Sequence, residues 1–321
     1  MIAATLQAAT GQDMNTYVQT IDHGRIREVR LARPPVNALD PALCRGLIAA
    51  LDAAVSGEAE AVVLSGAPGI FSAGLDVPHL LSLGQDRHAL HAAWGAFFGA
   101  ARTLAALRIP VVAAITGHAP AGGCVLALCC DYRVMARSTD PQKPYAIGMN
   151  ETQVGLAVPE GAQQLMRRVV GQHRAERLLV AGDMIPAEEA LRIGLVDELA
   201  DAGHVVPRAI AWLEPLLRLP RAPMLQTRAL ARADLVQALG PDRLHLDRFV
   251  QAWYEPGTQQ SRQELIQVAT ADAQSVTPVF NGSTSFDPGG AAFSIYSQWP
   301  GFSNTDGSVR EIFSEDALNT F

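Results

Sequence analysis

The chain of 321 residues reads as an α/β protein built on a mainly parallel sheet with crossover helices. Three observations predict this. β-Branched runs at 61–65 and 110–116 alternate with segments of helical apolar spacing. Each run ends in a glycine-containing corner, as a strand-to-helix crossover requires. Beyond residue 160 the pattern turns almost wholly helical.

Taken in order, residues 17–32 predict two short strands around an Asp22-His23-Gly24 turn. Residues 41–55 place Leu43, Leu47, Ile48, Leu51 and Val55 at helical spacing, with Asp40 as N-cap. A strand at 61–65, a corner at 71–76, a helix over 88–107 and a strand over 110–116 follow. Then come Gly122 and Gly123, an apolar helix-length run at 124–130, Asp131, and an extended stretch at 145–148. Helices are expected over 161–170, 173–181, 186–193, 204–218, 222–239 and 241–254, with only 195–198 extended between them.

The two corners carry chemistry. At the start of a helix, backbone N–H groups are unpaired and the dipole is positive, so a developing negative charge is stabilised there. One corner is Phe71-Ser72-Ala73-Gly74-Leu75-Asp76 and the other is Pro120-Ala121-Gly122-Gly123-Cys124. One N–H from each, aimed at a single oxygen, makes an oxyanion hole. The bland alternative is that these glycines only permit close turns. Glu151 is the candidate acid/base, because apolar neighbours on both sides imply partial burial, which lifts a carboxyl toward neutrality.

Five motifs in order, covering about residues 17–255, resemble the crotonase (enoyl-CoA hydratase/isomerase) superfamily. They are Arg33-Pro34-Pro35-Val36-Asn37-Ala38-Leu39, the corner from Phe71 to Asp76, the corner from Pro120 to Cys124, Cys130-Asp131-Tyr132-Arg133, and Gly148-Met149-Asn150-Glu151-Thr152-Gln153-Val154-Gly155. Within the superfamily the chain is most similar to the Δ3,Δ2-enoyl-CoA isomerases. The resemblance implies a spiral of β-β-α units followed by a helical C-terminal region. It implies Glu151 as acid/base, the N–H groups of Leu75 and Gly122 as oxyanion hole, and Ser72, Ala73, Gly74, Asp76, Gly123 and Asn150 at the substrate. It implies an acyl-CoA thioester substrate with no separate cofactor, since coenzyme A enters with the substrate, and a homotrimer or dimer of trimers. It also sets adenine and ribose phosphates near residues 72–76 and an arginine such as Arg33.

Position 125 is informative by being apolar. Hydratases of the superfamily carry a second glutamate directly after Gly-Gly-Cys; here that residue is Val125. One carboxylate can move a proton between two carbons, whereas adding water is better served by two groups, so isomerisation is favoured. Glu160 is the other carboxylate to weigh, either as a second catalytic group of dienoyl-CoA isomerase type or as a solvated turn residue. A hydratase, a dienoyl-CoA isomerase and a catalytically silent acyl-CoA binder remain the alternatives. Residues 137–144 look about four residues longer than in close relatives, just before the base.

Composition narrows the rest. The net charge is −7, Lys143 is the only lysine and no basic stripe occurs, which gives nucleic-acid binding no support. The four cysteines form no CxxC and read as small buried residues of a reducing compartment. No metal-ligand cluster, P-loop, dinucleotide fingerprint or nucleophile elbow occurs. No apolar run reaches membrane-spanning length, and residues 1–14 lack the basic start of an export signal. A cytoplasmic protein is the default expectation, with Met14 a second candidate start. The organisation expected is a catalytic core at 15–200, a helical oligomerisation region at 201–265 and a polar tail at 266–321. The tail reads as disordered or weakly ordered, with an appended β module or a frame-shifted segment as alternatives.

Overall fold

The computed structural model describes residues 17–256 and residue 258; the expectations for residues 1–14 and for the 266–321 tail lie outside these. The chain opens with an antiparallel hairpin, β1 (Val18–His23) and β2 (Ile26–Leu31), followed by α1 (Pro41–Ser56). The Asp40 carboxylate caps α1 by accepting from Leu43 N at 2.7 Å. Three successive units then each place one strand in each of two sheets. The first is β3 (Ala61–Ser65) and β4 (Gly69–Ile70), followed by α2 (Val77–Ser82) and α3 (Arg87–Ala105). The second is β5 (Val111–Ile115), β6 (Gly117–Pro120) and α4 (Gly122–Leu128). The third is β7 (Tyr132–Arg137), β8 (Ala146–Gly148) and a 3₁₀ turn at Glu151–Val154.

The larger sheet has the order β1-β2-β3-β5-β7-β10 and is parallel from β2 onward, with β10 at Glu198–Asp201. The smaller has the order β4-β6-β8-β9, with β9 (Ile185–Pro186) antiparallel to β8. The central strands β3 and β5 are nearly continuous apolar runs, as expected where both faces are covered. One face packs under α1, α3 and α4, with Leu43, Leu47, Phe97, Leu104 and Leu126 in one core; Val63, Val112 and Val134 on the other face meet Ala209 and Leu213. This is the β-β-α spiral.

The helical part comprises α5 (Glu160–Val170), α6 (Gln172–Ala181), α7 (Ala187–Arg192), α8 (Val205–Leu216), α9 (Arg221–Ala231), α10 (Ala233–Ala238), α11 (Pro241–Leu244) and α12 (Leu246–Trp253). Three expectations are corrected. The extended segment lies at 198–201 rather than 195–198, because Leu195 and Val196 are buried in the core and strand pairing with β7 starts only after them. The helix expected over 222–239 is interrupted at Arg232, whose guanidinium reaches inward to the carbonyls of Ala105 and Cys129. The helix over 241–254 breaks at His245, which sits in the left-handed region at φ 47°. Among the described residues, no helix is long and apolar enough to cross a membrane.

Candidate active site

The two corners are in direct contact. Gly74 has φ +83°, and a Cβ there would stand 3.0 Å from Gly122 N and 3.2 Å from the Pro120 carbonyl oxygen. A Cβ on Gly123 would collide with the Ser72 carbonyl oxygen. Gly74 is therefore fixed by close approach as well as by its positive φ, and Gly123 by close approach alone. No side chain caps α4, which leaves the N–H groups of its first turn to another acceptor. Ala121, just before α4, takes φ +46° and ψ −115°, a costly conformation for a residue with a Cβ.

The first corner is held from behind by residues 33–40. Ala73 N donates to the Val36 carbonyl at 2.9 Å, and Leu39 N donates to the Gly74 carbonyl at 2.7 Å. Asp76 N returns a bond to the Leu39 carbonyl at 3.2 Å, so Leu39 and Leu75 pair in parallel. Asn37, at φ +50°, donates its amide to the Phe71 carbonyl, and the buried Ser72 hydroxyl donates to the Asn37 carbonyl. Asp76 caps α2 through His79 N and is gripped by Arg33 at 2.7 Å. The Arg33 guanidinium is thus engaged by two carboxylates and a carbonyl.

Glu151 opens the 3₁₀ turn that follows β8. Its Oε2 is enclosed with no hydrogen-bond partner among the described residues, as is Oδ1 of the buried Asn150. Enclosure raises the Glu151 carboxyl to about 7, against a smaller opposing pull from its own backbone N–H. The turn is braced from outside: Thr152 Oγ1 donates to the Leu179 carbonyl and Gln153 Nε2 to the Ala181 carbonyl. It is tied to the second corner by Ala121 N, which donates to the Gly148 carbonyl at 2.7 Å. Cys124, in the first turn of α4, stands near enough to Glu151 for the carboxylate to add to the rise in its thiol pKa, which is driven chiefly by burial.

Val125 is buried and apolar. Glu160 lies at the start of α5, where it pairs with Arg243 at 3.0 Å and is 40% exposed; its partners are those of a surface residue. His118 is buried on β6 and accepts from Ala146 N through Nδ1. All four cysteines are buried and free. The 137–144 connection is a surface turn organised by Asp140 between β7 and β8. Sequence reasoning did not find the role of Asn37 and Leu39 behind the first corner, although asparagine's tolerance of positive φ is a usable signal. Nothing in the sequence marks the strained Ala121.

The fold is thus a β-β-α spiral that sets two glycine corners against each other, with an enclosed carboxyl following the strand bonded to the second corner. The chain belongs to the enoyl-CoA hydratase/isomerase family, whose model matches residues 22–268. It is 31% identical over 217 residues to human mitochondrial enoyl-CoA delta isomerase 1, covering 67% of this chain and 70% of that protein. It is 36% identical over 222 residues to a probable enoyl-CoA hydratase of Mycobacterium avium, covering 67% and 83%. Among solved structures, human mitochondrial Δ3-Δ2-enoyl-CoA isomerase superposes with a TM-score of 0.73 at 28% identity, covering 80% of this chain and 99% of that one.

Proposed function

We propose that the protein isomerises 3-enoyl-CoA to 2-enoyl-CoA, a reaction of fatty-acid β-oxidation type. The observation that carries this reading is the enclosed carboxyl of Glu151, whose Oε2 has no hydrogen-bond partner among the described residues, with an apolar Val125 where a hydratase of the superfamily has its second glutamate. The thioester oxygen rests against the N–H groups of Leu75 and Gly122. Glu151 takes a proton from C2, the electron pair of that bond forms C1=C2 and pushes the carbonyl pair onto the thioester oxygen, giving a dienolate conjugated with C3=C4. The protonated Glu151 then delivers its proton to C4, leaving the double bond between C2 and C3. Atoms and charge balance without a metal or redox cofactor, and coenzyme A travels with the substrate.

Asn150 meets the substrate in this reading, supported by a buried Oδ1 that has no partner among the described residues. Ser72, Ala73, Gly74, Asp76 and Gly123 shape the pocket mainly through backbone. Assembly as a homotrimer or dimer of trimers and a cytoplasmic location belong to the same proposal; light scattering measures the first and fractionation the second.

The test is incubation with a 3-enoyl-CoA, a 2-enoyl-CoA and a saturated acyl-CoA, followed by chromatography and mass spectrometry. Isomerisation leaves mass unchanged and shifts retention of the 3-enoyl ester. Dominant addition of water would instead assign hydration, and no change in any ester would assign a silent binder.

A further inference from the structure

The Arg33 guanidinium bridges two helix starts. Its Nη2 lies 2.7 Å from Asp76 Oδ2 and 3.4 Å from Asp40 Oδ2, while Nη1 donates to the Ala38 carbonyl at 3.0 Å. The other oxygen of each carboxylate is engaged as an N-cap, Asp76 on α2 and Asp40 on α1. All three side chains are largely buried, at 20%, 9% and 16% exposure. Tyr17 covers the guanidinium, its ring centroid 5.6 Å from the Arg33 Cζ. Such a fork between two carboxylates is rigid and weakly screened.

Between these caps lies the first corner. Leu75 is flanked by the Leu39 N–H to Gly74 carbonyl bond on one side and the Asp76 N–H to Leu39 carbonyl bond on the other. The Gly74 carbonyl and the Leu75 N–H belong to one planar trans peptide and point in opposite directions. Holding that carbonyl toward Leu39 therefore aims the Leu75 N–H away from Leu39. The angle depends on residues 33–40 and 74–76 staying in register, and the Arg33–Asp76–Asp40 bridge adds a side-chain tie to the backbone bonds that hold them.

We propose that Arg33 is a positioning residue that clamps the Leu75 half of the oxyanion hole, and that it is not a ligand of the coenzyme A phosphates. This rests on the oxyanion-hole reading above. Arg33→Gln should lower kcat on 3-enoyl-CoA by about 10–100-fold with KM changed little, the scale expected when a reacting group is displaced by about 1 Å. The same fold-loss should appear with the matching 3-enoyl pantetheine thioester, which has no nucleotide phosphates. Asp76→Asn should give a similar loss, the double variant should lose no more than either alone, and Arg33→Lys should recover part of the rate.

A defect confined to KM, and absent with the pantetheine ester, would overturn the clamp and make Arg33 a phosphate ligand. Unchanged kinetics in Arg33→Gln would also overturn it. Amide hydrogen exchange of the 71–78 segment supplies a readout free of chemistry: exchange should accelerate in Arg33→Gln and partly recover in Arg33→Lys. If the unmutated protein leaves 3-enoyl-CoA untouched, the functional reading fails, and unchanged exchange is then the result that rejects the clamp. Should Arg33→Gln fail to fold, the kinetics and exchange of Arg33→Lys decide.

Discussion

Ala121 gives its N–H to the carbonyl of Gly148 at 2.7 Å, and this one bond joins the glycine corner to the strand that delivers Glu151. On one side, the next residue begins α4; on the other, Glu151 follows three residues later. The α4 corner and the Glu151 turn therefore continue from neighbouring strands of one sheet, β6 and β8, which also pair at Pro120 and Gly148. A carbonyl oxygen and a proton acceptor can be kept in fixed relation this way without loop closure.

The contact between the corners leaves no room for a methyl group. Gly123→Ala would press its Cβ into the Ser72 carbonyl oxygen, which is backbone and cannot turn aside. The expected result is a destabilisation of about 1–3 kcal/mol, as for overpacking. Turnover should fall by at least ten-fold, because the corners separate. Thermal unfolding and isomerase assays on the same preparation check both.

Enclosure of Glu151 makes stability fall with pH. Its carboxyl sits near 4.5 when unfolded and near 7 when folded, so between these values the native state keeps a proton that the unfolded state has lost. Stability is then lost as pH rises from about 4.5 to about 7, by on the order of 3 kcal/mol from this group alone. Glu151→Gln should remove that slope and exceed the parent in stability at pH 8. Urea unfolding at pH 5 and pH 8 for both proteins measures it. Activity runs the other way: the base must be ionised in the free enzyme, so kcat/KM should rise with pH through about 7.

Much of this site was legible because its residues are forced by backbone geometry and lie close together in sequence. The 71–76 and 120–124 corners combine glycine with β-branched lead-in, and Asp40 announces the start of α1. The short pieces escaped. β4 has two residues, and β6 (Gly117-His118-Ala119-Pro120) shows neither alternation nor β-branching, so no period marks them. Their existence follows from pairing between units distant in sequence, Gly69 with Gly117 and Ala119 with Ile147. The break at Arg232 escaped for the same reason: the partners of its guanidinium, Ala105, Cys129 and Asp131, lie about a hundred residues earlier.

Asp131 is the centre of a buried charge network. Arg228 binds it through Nε and Nη2, Arg232 through Nη1 at 2.8 Å, and Val111 N donates to it at 2.7 Å. Asp131→Asn would leave two guanidinium groups facing a neutral amide. The expected loss is about 3 kcal/mol, the scale for breaking a buried pair from one side. Denaturant midpoints should shift down with an unchanged m-value, and the loss should be smaller if Arg228→Met is added, because the second cation is then gone.

The central claim is that one carboxyl, Glu151, carries both proton transfers. Glu151→Gln preserves shape and hydrogen bonding but cannot accept the proton. Its turnover of 3-enoyl-CoA, followed by appearance of the 2-enoyl ester at unchanged mass, should fall by about 10²–10⁴-fold while acyl-CoA affinity stays within a few-fold. A variant that keeps more than half of the parent's rate would contradict the account and remove Glu151 from the chemistry.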